Sequence, residues 1–170
     1  MKNLSIFQKI IIIILFTILA IVVIVVTVNL NKQSDAKTVA ESVLNKTYGI
    51  TLEESKNLTN AITQSAQDND TLLKYLHSVY EGQISENGYN AIINNRVPSK
   101  VITTISEEDS DLKVTSIQLE SSDAIKNSKR YTFTVKVETV KETTKTFTFK
   151  GNIVLIQENG HWIVDGITPQ

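Results

Sequence analysis

From Ile10 to Val28 the chain reads IIIIILFTILAIVVIVVTV, nineteen residues in which only Thr17 and Thr27 are polar and none is charged. At about 1.5 Å per residue such a helix spans roughly 28 Å, close to the hydrocarbon thickness of a bilayer. A helix buried in a soluble core is rarely apolar on every face. The two threonines can return their hydroxyls to the backbone one turn earlier. The run therefore reads as a single membrane crossing. A cleaved signal peptide is the rival, with a small-x-small pattern at Ser34, Asp35 and Ala36, but its apolar region is usually only about 7 to 15 residues long. The division that follows is a tail over 1–9, a membrane helix over 10–30 and one domain over 31–170. Lys2 and Lys9 with the free amine face Lys32 and Lys37, which favours a cytoplasmic tail and an extracytoplasmic domain only weakly. The span has no GxxxG to argue for close helix pairing.

With 170 residues in all, the remainder suits one domain with a real core. Lys2 and Lys9 precede every carboxylate, so of 17 basic and 18 acidic residues, 15 and 18 lie beyond residue 30, a net of −3. That mild acidity argues against a nucleic-acid surface. The chain has no cysteine, which removes disulfides, thiol catalysis, cysteine-held zinc and a lipidated N-terminal cysteine together.

Beyond Asn31 the apolar spacing becomes helical. Ala36, Val39, Ala40, Val43, Leu44 and Tyr48 share one face, with Ser34 or Asp35 to start the helix and Gly49 to end it. Thr51-Leu52-Glu53-Glu54 has the form of a capping box and opens a second helix, whose face of Leu58, Ala61, Ile62 and Ala66 is thin. Asp70 precedes the stripe Leu72, Leu73, Leu76, Val79 and Tyr80, which Gly82 closes. Ser85 opens a further short element carrying Tyr89, Ile92 and Ile93. Pro98 marks the end of the helical half, because proline biases the residue before it away from helix.

From Leu112 the period is two. In Tyr131-Thr132-Phe133-Thr134-Val135-Lys136-Val137-Glu138 apolar and polar side chains alternate, as in a strand with one wet face. Phe147, Phe149, Ile153 and Leu155 repeat the pattern, with Gly151 where a bulge or bend would fit. Between Leu112/Val114 and Ile117/Leu119 the phase slips by one, which also predicts a bulge. Asn159-Gly160 supplies the positive φ angles of a tight hairpin, and Trp162 and Val164 follow. The expected fold is α+β: after the membrane helix, about three helices packed on a curved antiparallel sheet of three to four strands, a cone with Trp162 as a major filler.

This order of elements resembles the nuclear transport factor two-like, or cystatin-like, fold. The likeness sits mainly in Tyr131 to Gly166, above all Phe149-Lys150-Gly151-Asn152-Ile153-Val154-Leu155 followed by Glu158-Asn159-Gly160-His161-Trp162-Ile163-Val164-Asp165. It is a likeness of pattern over roughly the last 130 residues, and many functions use the fold. With a short tail and one membrane helix added, the arrangement is similar to the VirB-eight-like subunits of Gram-positive conjugative type IV secretion systems. That resemblance implies a scaffold without enzymatic activity in the cell envelope, whose external domain assembles with other channel subunits.

No catalytic, cofactor-binding or metal-ligating residue is assigned, and no cofactor is expected. Enzymes on this fold place an acid with a histidine or tyrosine inside the cone, whereas the inward strand positions here are Phe, Val, Ile and Tyr. His77 and His161 read as surface or half-buried side chains. Glu107-Glu108-Asp109-Ser110-Asp111 lacks the alternating ligands, glycine and later glutamate of a calcium loop and reads as a solvated connector. No phosphate-binding glycine loop, nucleophile elbow or metal-spaced histidine pair occurs. Thr139 to Thr148 reads as strand and hairpin surface. Asn45-Lys46-Thr47, Asn57-Leu58-Thr59 and Asn69-Asp70-Thr71 match the glycosylation triplet by composition alone.

The leading expectation is thus a non-enzymatic scaffold subunit of a conjugative type IV secretion channel, with the membrane and other channel subunits as partners, a homo-oligomer as an option and no direct nucleic-acid binding. It calls for a cone filled by its own side chains and a partner patch on the helical face that includes Ile50 or Leu52. The alternative, a membrane-tethered ligand-binding or sensing domain, calls for an open apolar cavity. An enzyme would need a carboxylate or histidine inside the cone.

Overall fold

The computed structural model describes residues 36–65, 69–125 and 127–170. The expected tail and membrane helix, the cleavage pattern, the Ser34/Asp35 cap and Ala66 lie outside them. Among the described residues no helix is long and apolar enough to cross a membrane. Within the described residues five helices precede four strands: α1 (36–48), α2 (Leu52–Ser65), α3 (Asn69–Tyr80), α4 (Glu86–Asn94), α5 (Val97–Glu108), β1 (Leu112–Ile125), β2 (Ser128–Thr139), β3 (Thr146–Glu158) and β4 (His161–Pro169). The α+β layout is as expected, with helices packed on a four-stranded antiparallel meander in the order β1-β2-β3-β4.

Local chemistry accounts for most of the helix ends. Ala36, Ala40, Val43, Leu44 and Tyr48 form a wholly buried stripe on α1, which stops where Gly49 N–H donates to Asn45 O at 2.8 Å. The capping box of α2 is closed both ways: Thr51 N–H donates to Glu54 Oε2 at 2.7 Å, and Glu54 N–H donates to Thr51 Oγ1 at 3.1 Å. Asp111, expected only as part of a connector, takes the next free donor of that helix, Leu52 N–H, at 2.7 Å. This joins the start of α2 to the start of the sheet.

The helical half does not end at Pro98. Proline there occupies the first turn of α5, where a missing N–H costs no hydrogen bond and the fixed φ suits the helix. The break falls earlier, at Arg96, whose φ of 49° ends the run from α4. Val97, Val101 and Ile105 recur every four residues and are buried; that spacing is the signal for the additional helix. The expected acidic connector consequently shrinks, because Glu107 and Glu108 belong to the last turn of α5. Carboxylates are unfavourable at a helix C-terminus, and Glu108 is answered by Lys145 Nζ at 2.8 Å.

Bulges bend the sheet and keep its apolar residues on one face. On β1 the register shifts between Val114 and Ser116, at the expected phase slip. On β4 a shift sets Leu155 opposite Val164 but Val154 opposite Gly166, so Asp165 is the extra residue. Val164 and Ile167, three apart, are both wholly buried as a result. Of the bulge or bend expected at Gly151, the bulge is absent: Gly151 pairs in register with Phe133 and Pro169. Glycine is required there because a Cβ would come within 2.6 Å of Phe133 Cζ and 2.3 Å of Thr168 O. The β3–β4 hairpin turns at Asn159 and Gly160, with φ of 50° and 84°, as expected.

The core lies between this face and the helices. Tyr131, Phe133, Val135, Val137, Ile153 and Leu155 meet the α1 stripe, Tyr80, Tyr89 and Ile92. Trp162 is buried at one end of the same layer with the Lys129 ammonium over its ring, 5.1 Å from the centroid. The outer edge of β4 is sealed by the α3–α4 connection, since Ser85 N–H donates to Val164 O and Val164 N–H to Gln83 O, each at 2.9 Å. Such pairing closes an edge that would otherwise be open to another chain.

Candidate functional site

The space between α1 and the sheet is occupied by aromatic side chains. The Tyr48 ring stacks on Phe149 at 4.9 Å and lies 5.9 Å from Phe133. The Tyr48 and Tyr89 hydroxyls and Trp162 Nε1 are enclosed without a hydrogen-bond partner among the described residues. Burial, with a smaller contribution from Tyr80, pushes the Tyr48 hydroxyl far above its ordinary range. Tyr80 is pushed up to about 12, mainly by burial, although its hydrogen bond with Thr47 at 3.0 Å acts the other way. These phenols stay protonated at neutral pH. The polar side chains buried among the described residues are Thr47, Ser55, Ser110 and Thr139, none of which titrates near neutrality.

The two histidines are not brought into this interior. His77 lies on α3 with its ring 4.1 Å from that of Tyr89 and its Nε2 3.8 Å from Glu86 Oε1, at a half-exposed position. His161 is exposed at the β3–β4 turn. Of the acidic run, Glu108 binds Lys145, Asp111 caps α2, and Ser110 Oγ accepts from Val140 N–H at 3.1 Å. The last two are structural fastenings rather than a solvated ligand set. Among the described residues no three His, Cys, Asp or Glu side chains are placed to hold a metal. The glycosylation triplets fall in α1, α2 and α3, and Thr47 of the first is buried.

One of the open concavities lies on the helical side. A groove of about 410 Å³ runs between α2, α3, α4 and α5, walled by Ile62, Leu72, Leu76, Ile92, Ile93 and Pro98, with Arg96 and Ser99 at its border. Ile62, expected on the core face of α2, is instead 39% exposed in this groove, while Leu58 and Ala61 carry the buried face. Of Ile50 and Leu52, expected at a partner patch, the first is not free and the second borders an open hollow with Ser55, Lys56 and Thr59. Ile50 is buried and its carbonyl accepts from Leu112 N–H at 3.0 Å, and Leu52 is partly buried against the core. The α2–α5 surface was legible only as separate stripes, because four helices must pack before it exists.

No protein-family model matches the chain, and no curated protein sequence does. Among solved structures it is similar to a periplasmic fragment of TraM, with 15% identity, a TM-score of 0.47 and coverage of 81% of this chain and 96% of that one. It is also similar to a protein of unknown function from Mycobacterium tuberculosis, with 11% identity, a TM-score of 0.37 and coverage of 70% of each chain. Likenesses this loose carry no argument about fold or function.

Proposed function

We propose that the chain is a non-enzymatic assembly subunit held in the cell membrane by residues 10–30, with its tail cytoplasmic and its domain on the outer side, and that this domain binds other subunits of a conjugative type IV secretion channel. What supports the non-enzymatic scaffold reading most is the filled interior: Tyr48, Phe133 and Phe149 occupy the space that an enzyme or a small-molecule sensor on such a sheet would leave open. The groove between α2 and α5 supports the choice of the helical side as the partner surface, since Ile62 is exposed there and Leu72, Ile93 and Pro98 are only partly buried. Its fitting occupant is the apolar face of a helix from a partner subunit, with an acidic residue to meet Arg96. The channel assignment itself rests on the resemblance in element order together with the uncharged N-terminal span. The alternative, a tethered sensor, has less support because the interior is occupied.

The test is cross-linking in native membranes with the full chain tagged at its N-terminus and co-captured proteins identified by mass spectrometry. Recovery of a transfer ATPase, a polytopic channel subunit or further copies of the chain is the expected result. Recovery of the tagged chain alone from a conjugation-competent host would overturn the scaffold reading.

A further inference from the structure

The face of the sheet turned away from the helical core is polar over most of its length, with Glu120, Lys136 and Lys150 exposed on it. It changes character at the end where the β1–β2 and β3–β4 turns lie. There Ile125 stands opposite Ser128, Ser128 opposite Ile156 and Ile156 opposite Ile163, one row across all four strands. Residues directly opposite share a face, and Ser128 and Arg130 alternate with the inward-facing Tyr131 and Phe133, so the row faces outward. Val154, opposite Arg130 and Gly166, continues it by one step. Ile125 is 75% exposed, the most of any large apolar side chain among the described residues. Val154, Ile156 and Ile163 are only partly buried. Four aliphatic side chains thus adjoin on a face that is otherwise polar.

The first helix of the domain starts at this same end. Ser42 Oγ donates to Gln83 Oε1 at 3.1 Å, and Gln83 O accepts from Val164 N–H on the strand that leaves the β3–β4 turn. The other end of α1 leads to the first residue of β1, where Ile50 O accepts from Leu112 N–H at 3.0 Å. α1 therefore runs from the turn end toward the opposite end, and at about 1.5 Å per residue Ala36 lies roughly 9 Å beyond Ser42 on the turn side. In the sequence only residues 31–35 separate α1 from the apolar segment over 10–30. A tether that short reaches at most about 18 Å.

We propose that the turn end of the sheet rests on the surface of the bilayer, with Ile125, Ile156 and Ile163 entering the interfacial layer and basic side chains meeting anionic lipid headgroups. Arg130 is exposed beside Val154 with no ion-pair partner among the described residues. By sequence this end carries Lys126, Lys129 and Arg130 against Asp123 and Glu158, a balance that favours an anionic surface. The short tether selects lipid over a distant partner as the cover of the patch, and burial of the isoleucines supplies the apolar part of the attraction. This inference rests on the reading of residues 10–30 as a membrane anchor. It assigns to lipid a surface separate from the helical groove.

The chain has no cysteine, so one introduced thiol carries a fluorescent label at one place. The experiment uses the full chain in nanodiscs of phosphatidylcholine with phosphatidylglycerol, with and without lipid bearing a nitroxide at its headgroup. Labels go at Asn127→Cys, in the β1–β2 turn, and at Glu142→Cys, in the β2–β3 loop at the opposite end of the sheet. Quenching is expected to be several-fold greater at 127 than at 142, to fall when phosphatidylcholine replaces phosphatidylglycerol, and to fall again with Ile125→Asp, an exposed position where folding is not at stake. Equal quenching at the two sites, or quenching at 127 that Ile125→Asp leaves unchanged, would overturn the proposal. So would self-quenching between two chains labelled at 127 without quenching by lipid, which would assign the patch to a second copy. Leu19→Cys, read with a nitroxide deep in the acyl chains, tests the anchor by itself. A label quenched at 19 but not at 127 sinks this proposal and leaves the anchor standing; one quenched at 127 but not at 19 does the reverse.

Discussion

The ring of Phe133 lies against the backbone of Gly151, its partner across the β2–β3 ladder, so closely that no side chain fits between them. The aromatic ring fills the place of the missing Cβ, and β3 stays in register where glycine would otherwise weaken it. Gly151→Ala should destabilise the domain by about 1–3 kcal/mol through overpacking. Adding Phe133→Leu should recover only part of the loss, since the Thr168 carbonyl is backbone and stands 2.3 Å from the new carbon. Urea unfolding of the single and double variants checks both statements.

Ser85 carries two connections at once. Its Oγ caps α4 by accepting from Gly88 N–H at 3.0 Å and donates to Asp165 Oδ1 at 2.6 Å, tying the helix start to the bulge of β4. Ser85→Ala should cost about 1–2 kcal/mol, the upper part of the range for a lost N-cap. A double-mutant cycle with Asp165→Ala should show coupling between the two positions. Strictly additive losses would mean the bond contributes nothing in solution.

The buried tyrosines set the alkaline limit of stability. Tyr80 holds its proton up to about 12 in the folded domain and releases it near 10 when unfolded. Between those values the folded state binds more protons, so stability is complete below about pH 10 and falls by up to about 1.4 kcal/mol per pH unit above it. Tyr80→Phe should flatten the part of that fall due to this residue, measured by unfolding at a series of pH values.

Tyr48→Phe and Tyr80→Phe should differ at neutral pH. The Tyr48 hydroxyl is enclosed without a partner among the described residues, so removing it should be neutral or stabilising. Loss of the Tyr80 bond to Thr47 should cost about 1 kcal/mol. Thr47 keeps its 2.7 Å bond to Val43 O, which holds the cost down. Thermal unfolding at pH 7 separates the two variants.

Ile62 distinguishes binding from folding. At 39% exposure, Ile62→Lys, whose charge suits the last turn of α2 and whose stem keeps part of the contact, should cost about 1 kcal/mol or less. If the groove is a partner surface, the same change should sharply reduce the co-capture of subunits by cross-linking. Unaltered capture would move the partner surface elsewhere.

Much of this fold is legible in short stretches of chain. The alternation in β2, the slip of phase on β1, the Asn159-Gly160 turn and the Thr51/Glu54 capping box each arise from a few neighbouring residues, and the structure realises each of them locally. The apolar run from Ile10 to Val28 is likewise a local signal, and it lies outside the described residues. The candidate surfaces belong to a different level. Whether Ile62 faces the core or solvent depends on how α3, α4 and α5 crowd α2. Pro98 begins a helix instead of ending one because Arg96 turns the chain and Val97, Val101 and Ile105 find a core to enter. Gly151 serves Phe133 on another strand. The sequence by itself determined periodicity, caps and turns, which are written in adjacent residues. The exposed groove was decided by tertiary packing, because it is made of atoms far apart in the chain.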